Sequence, residues 1–334
     1  MAADDTSSSK GRWERALGLL DSWGETAQYQ EHVGLASSGW STASSSSSGS
    51  SSSSMTATAL PGADSYLLPD DEREPERLDF WGHTFVQTLG GALYAAPLRD
   101  PELVLDIGTG TGIWALDFAD THPDAQVLAF DVKPVQPSWT SPNCRFVVAD
   151  AEEDWAFGPD TFDFVHARYL YPAIVDWPRL WRQSFAALRP GGWVEHQEDS
   201  AMFWSDDPGF DGSRTKYFAS QIDFASTKIG KRFRIAPEQR DRMVDAGFQN
   251  VQQKVCKVPI GMWDEDQIDL GKRMLLVVLE GIAPTALPVF TLVLGWDNDA
   301  IEQLLDEVRN EFLKGEFKVY LKFYYTYGQK PLEL

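Results

Sequence analysis

The residues of this chain best placed to do chemistry lie at the ends of three consecutive apolar runs. They are Asp106, Gly108, Thr109, Gly110 and Gly112 in LVLDIGTGTGIW, Asp131 in VLAFDVK, and Asp150 and Ala151 in VVADAEE. Alternate glycines give a turn in which backbone, rather than side chains, meets a ligand. A dinucleotide fingerprint spaces its glycines G-x-G-x-x-G, the third packing the helix under a pyrophosphate. Here the spacing is G-x-G-x-G, with Ile113 where the third dinucleotide glycine belongs. Asp106 separates the cases further, because a carboxylate beside the turn repels a pyrophosphate and attracts a cation. Both features argue against a nicotinamide-dependent reductase. Asp131 is placed to accept two ribose hydroxyls. Asp150 is placed to bind an adenine amino group, and the backbone of Ala151 a ring nitrogen. A cationic nucleoside meets all these demands, and S-adenosylmethionine, with its sulfonium and ammonium, is one.

These residues need strand ends and helix starts to hold them. Strands are expected at Leu103 to Ile107, Val127 to Asp131, Arg145 to Val148, Phe162 to His166 and Gly192 to Gln197. Helical patterns at Ile113 to Asp120 and Trp177 to Leu188 lie between them. This alternation predicts an α/β fold, a mostly parallel sheet with helices on both faces. Upstream, Glu72 to Leu89 predicts a helix with an acidic first turn, stopped by Gly90 and Gly91. After Glu198 the rhythm breaks. Residues 199–234 show no clear period, and a helix, a turn at Gly247 and a strand from Val251 to Val258 follow. Residues 261–296 include RMLLVVLEGIAPTALPVFTLVLGW, where Pro284 and Pro288 predict two short buried helices. A helix from Asp299 to Lys314 and a strand from Phe317 to Tyr327 close the chain.

The strings YLLPDDEREPERLDFWGHTF, LDIGTGTGIWALDFAD, VADAEEDW, FDFVHARYL, LRPGGWVEHQE and EGIAPTALPVFTLVLGW followed by VRNEF resemble the class I methyltransferases, and most closely their fungal LaeA-like group. The likeness extends from about Tyr66 to the end. It implies a Rossmann-like seven-stranded sheet whose last strand is antiparallel, and S-adenosylmethionine as cofactor. It also implies that residues 61–100 form a lid over the cofactor, within a methyltransferase domain spanning 61–334 whose insertions at 199–234 and 261–296 build the substrate side. Arg77 is then the candidate for the methionine carboxylate, held through a bidentate fork, or else a surface partner of Glu74 or Asp79. Tyr66 and His83 are candidates for the same lid. Lys318, Val319 and Tyr320 stand where the group leads one to expect His-Ala-Tyr, which points to a different acceptor.

Methyl transfer needs the acceptor positioned and, for many acceptors, a proton removed. HARYLYP puts His166, Arg168, Tyr169 and Tyr171 near the sheet's carboxyl edge. His166 is the candidate general base, also touching cofactor, with ordinary packing as its alternative, and Tyr169 is a second catalytic candidate. Of Glu195 and His196, adjacent on a strand, only one can face the site. Phe203, Trp204, Trp263 and GIAPTALP predict an apolar or aromatic small-molecule acceptor. The resemblance leaves a second class open, that of nuclear regulators of metabolite genes working in protein complexes.

Composition narrows the field. The 43% hydrophobic content supports a large core, while a net charge of −21 and no basic block argue against nucleic-acid partners. The basic patch KIGKRFR at 228–234 is expected to be a solvated face. Cys144 and Cys256 make neither a disulfide framework nor a metal set, and the five histidines form no local ligand set, so no metal is expected. With no signal-like N-terminus and no run of eighteen apolar residues, a cytoplasmic protein without a membrane span is expected. Thirteen serines among the eighteen residues Ser37 to Ser54 make residues 1–60 a disordered arm, apart from an amphipathic stretch at Trp13 to Trp23.

Overall fold

The computed structural model describes residues 74–332 together with Arg12. The expected arm at 1–60, Arg12 apart, the Trp13 to Trp23 stretch and Tyr66 lie outside the described residues. Among those described, seven strands form one sheet in the order β3-β2-β1-β4-β5-β7-β6. They are β1 (Leu103–Ile107), β2 (Gln126–Asp131), β3 (Cys144–Val148), β4 (Phe162–Arg168), β5 (Leu188–Asp199), β6 (Gln249–Pro259) and β7 (Tyr320–Gln329). The first five run parallel, and β7 enters antiparallel between β5 and β6. The helices are α1 (Glu74–Thr88), α2 (Ile113–Thr121), α3 (Trp177–Ala187), α4 (Arg214–Lys228), α5 (Gln239–Asp245), α6 (Ile268–Pro288) and α7 (Asn298–Lys314).

Both faces of the sheet are covered, so β1 is apolar almost throughout rather than alternating. Leu103, Leu105 and Ile107 join the core that α3 closes with Trp177, Leu180 and Trp181. Val104 points the other way, into the cluster that α2 closes with Trp114, Ala115 and Phe118. Asp106 shares that second face by strand alternation, and this decides its fate below. Local signals set the helix starts: Asp176, Ser213 and Asp297 each accept a backbone N–H as N-caps of α3, α4 and α7.

The two insertions depart from expectation. Residues 199–234 contain α4, whose buried stripe is Thr215, Phe218, Ala219, Ile222, Ala225 and Ser226. Threonine and serine at buried positions hid the helical period from a hydrophobicity pattern. In residues 261–296, one helix replaces the two expected: α6 runs through Pro284 and passes after Pro288 into a π-helical segment, Val289–Leu294. A proline inside a helix costs about 3 kcal/mol. The stripe Leu270, Met274, Val278 and Ile282, continued by Val289 and Phe290, is buried. At roughly 1.5–3 kcal/mol per large side chain, that burial outweighs the two breaks. The helical stretch Glu265–Leu294 is also long and apolar enough to cross a membrane by length and composition alone. Here its buried stripe packs on the domain.

Candidate active site

The ends of β1, β2 and β3 are tied together by backbone. Thr109 donates its N–H to the Phe130 carbonyl at 3.0 Å, and Ala149 donates to the Asp131 carbonyl at 3.0 Å. Gly110 donates to Asp131 Oδ2 at 2.9 Å, and Lys133 N–H donates to Oδ1 at 3.1 Å. Gln136, which the sequence did not single out, clamps the turn from outside by donating Nε2 to the Gly110 carbonyl at 2.7 Å. Gly108 has φ 61°, and a Cβ there would stand 2.4 Å from Leu170 Cδ2. At Gly110, φ is 57° and the nearest atom to an added Cβ is Leu78 Cδ1 at 3.8 Å, so the turn is open on that side. The third glycine, Gly112, directly precedes α2 with φ 84°.

Asp131 is half-buried at the end of β2. Burial pushes its carboxyl up, and the Gly110 and Lys133 N–H groups pull it back. Each oxygen has one protein donor and a lone pair to spare, which suits a pair of ribose hydroxyls. Asp150 is exposed after β3 and accepts Glu152 N–H at 2.8 Å, while the Ala151 carbonyl accepts from Trp155 Nε1 at 3.1 Å. The turn, Asp131 and Asp150 therefore stand at the ends of three neighbouring strands, and the residues present fit S-adenosylmethionine.

Asp106 and His166 do not join them. Asp106 is 2% exposed, its carboxylate accepting Thr109 Oγ1 at 2.6 Å and His166 Nδ1 at 2.7 Å. His166 is fully buried and lies flat on the Trp114 indole, ring centroids 3.6 Å apart at 5°. Burial pushes its pKa down and Asp106 opposes this only in part, so the imidazole is neutral, donates Nδ1–H and braces the turn from beneath. The general-base expectation for His166 is therefore corrected: no acceptor or cofactor reaches a ring packed under the sheet. Thr109 acts in the same brace. Arg168 is wedged under α1, its Nη2 2.8 Å from where a Gly82 Cβ would stand, close to Asp106, Asp117 and Asp79. Helix α1 is pinned to the turn by Asp79, which accepts Thr111 Oγ1 at 2.5 Å.

Beside the turn opens a cavity of about 140 Å³. Leu78 belongs to both, since it lines the cavity and flanks Gly110. Trp81 from α1, Phe203, Phe218 and Ile222 from the first insertion, Phe233, Val278 and Ile282 make the wall mostly apolar. Its polar groups are Arg77, Tyr169, Tyr171, Asp199 and Thr285. Tyr169 follows β4 with φ 55° and stacks on Trp81 at 5.5 Å. The other candidates go elsewhere. His83 is exposed, Trp263 donates Nε1 to the Val319 carbonyl, and Trp204 sits under Lys216, Arg234 and Lys322. Within the 228–234 patch, expected to be solvated, Lys231 and Phe233 are buried. Glu195 accepts the Ala95 and Ala96 N–H groups, and His196 packs between Trp177 and Trp181, so neither faces the cavity.

A parallel sheet with one antiparallel insertion, a glycine turn after β1 and acids after β2 and β3 define a class I methyltransferase. The sequence model of a methyltransferase domain matches residues 80–253. The chain is 39% identical over 276 residues to the methyltransferase pytC of Aspergillus terreus, covering 80% of this chain and 84% of that protein. It is 33% identical over 274 residues to the protein-methionine methyltransferase laeA of Emericella nidulans, covering 80% and 73%. The chain belongs to this methyltransferase family, in the fungal LaeA-like group, and its cofactor is S-adenosylmethionine.

Proposed function

We propose that this enzyme methylates oxygen or nitrogen of a small, largely apolar acceptor in fungal secondary metabolism. The observation that carries this is the cavity: it shares Leu78 with the glycine turn and is walled largely by aromatic and aliphatic side chains. S-adenosylmethionine supplies a methyl group already activated by a sulfonium. The protein's tasks are to hold the cofactor and to present the acceptor to that carbon. Asp131 takes the ribose hydroxyls, the Asp150–Ala151 turn takes the adenine, and the backbone from Gly108 to Gly112 lies along the ligand. Arg77, at the cavity wall next to Leu78, takes the methionine carboxylate.

The pytC relative is described as a methyltransferase, whereas laeA of Emericella nidulans is described both as a protein-methionine methyltransferase and as a secondary metabolism regulator. A labelling experiment separates these activities here. The purified chain is incubated with methyl-labelled S-adenosylmethionine and fungal extract, alongside a Gly110→Arg control that fills the open side of the turn. Label in organic-soluble material, absent from the control, is the expected result. Label confined to protein would overturn the small-molecule acceptor in favour of a protein one.

A further inference from the structure

The cavity's largely apolar wall carries a connected chain of hydroxyls ending on a carboxylate. Tyr171 Oη lies 3.2 Å from Asp199 Oδ2 and 3.5 Å from Oδ1. The Tyr169 and Tyr171 hydroxyls are 3.3 Å apart. Tyr171 has one proton, so when it donates to an ionised Asp199 its oxygen is free to accept from Tyr169. Asp199 ends β5 and is 1% exposed, held by Ala201 N–H at 2.5 Å. A buried carboxylate is costly to keep, and its hydrogen-bonded route runs to the cavity rather than to a structural cation.

Resting on the methyltransferase reading above, we infer that Tyr169, Tyr171 and Asp199 form a proton relay that accepts the proton of the methyl acceptor, and that the acceptor's nucleophile is a phenolic or enolic hydroxyl. The acceptor O–H bond breaks as the new O–CH3 bond forms. The C–S bond of the sulfonium breaks with its electron pair going to sulfur, and the proton ends on Asp199, leaving S-adenosylhomocysteine and the methyl ether. Charge selects oxygen over a protonated amine. The cofactor brings a sulfonium to the reacting carbon, so an acceptor oxygen that becomes negative is favoured there and an ammonium is opposed.

The groups facing Asp199 are Glu198 beside it, Tyr171 and, through it, Tyr169, with Arg77 across the cavity. Glu198 in turn has His196 Nε2 at 3.4 Å. From α4 and α6 come only apolar side chains and the Thr285 hydroxyl. Burial, with Glu198 adding to it, pushes Asp199 up to about 7, so it can hold a proton near neutrality and release it to solvent afterwards.

Two flat probes test this on the full chain loaded with S-adenosylhomocysteine: 2-naphthol, neutral in water at about pH 8 as phenols are, and its methyl ether 2-methoxynaphthalene, which has no proton to give. The wild type is expected to bind 2-naphthol roughly fivefold more tightly than the ether, as a net hydrogen bond of about 1 kcal/mol to the Tyr169 oxygen gives. That preference should shrink as pH falls below about 7, where Asp199 protonates. Asp199→Asn should remove the pH dependence and most of the preference. Tyr171→Phe should remove the preference with Asp199 still in place. Both variants should keep S-adenosylhomocysteine affinity, which reports that they are folded. Equal binding of the two probes by the wild type, or a preference surviving both substitutions, overturns the relay alone. Binding of neither probe by a chain that holds S-adenosylhomocysteine overturns the apolar acceptor site with it.

Discussion

At the scale of single residues, burial decides which ionisable groups are available for chemistry. Asp106, Asp131 and Asp199 all lie at or near the carboxyl ends of strands, yet their tasks differ. Asp106 spends its lone pairs on Thr109 and His166, Asp131 keeps acceptor capacity beside the open turn, and Asp199 ends a hydroxyl chain. Asp131→Ala should weaken S-adenosylhomocysteine binding by about 1.5–3 kcal/mol, the loss of hydrogen bonds to a charged acceptor. Calorimetry on the folded variant checks this, and unchanged affinity would remove Asp131 from the ribose site. Asp131 was legible because a strand followed by an acid is a local pattern. The fate of His166 was not, since the same strand-end position serves a base or a packed ring. Trp114, which covers it, belongs to another element.

Among elements, β5 is the most unusual, burying Glu195, His196, Glu198 and Asp199 in one strand. Burial pushes Glu198 up to about 8, opposed by the Leu170 and Tyr171 N–H groups that bond it. A carboxyl whose folded pKa exceeds its unfolded value stabilises the fold at low pH. That contribution is lost as pH rises from about 4.5 through about 8. His196, pushed down to about 3, acts oppositely, its contribution being lost as pH falls below about 6.5. Glu198→Gln, which keeps an acceptor oxygen for the two N–H groups, should therefore flatten the alkaline decline. Thermal unfolding at about pH 6 and pH 9 should show wild type losing more stability than the variant, and parallel declines would refute it. Helix α6 shows a second feature that only the element in place explains. An added Cβ at Gly271 would stand 2.0 Å from the Gly261 carbonyl oxygen, so glycine sets how closely α6 docks after β6.

For the molecule as a whole, function sits at one end of the sheet and an anchor at the other. Arg12 is 7% exposed, donating to the Thr161 carbonyl and Asp163 Oδ1 and pairing with Glu102 at the start of the strands. Asp163 also accepts the Glu102 and Leu103 N–H groups and Arg189 Nε. Arg12→Ala should cost about 1–3 kcal/mol of stability, the usual range when a buried polar partner is removed. It should leave S-adenosylhomocysteine affinity alone, because the turn lies beyond the opposite ends of β1 and β4. Denaturant melts and calorimetry read the two separately. The glycine turn was determined by sequence alone, because a strand, three glycines of positive φ and a helix are contiguous, and their backbone geometry is encoded where it is used. The cavity was decided only by tertiary structure. Its wall draws on residues from Arg77 to Leu321, brought together by β7 entering the sheet and by α4 and α6 closing over it. Local pattern carries no information about which distant side chains converge, and that convergence buried His166 against Trp114 while it put Asp199 in the cavity wall.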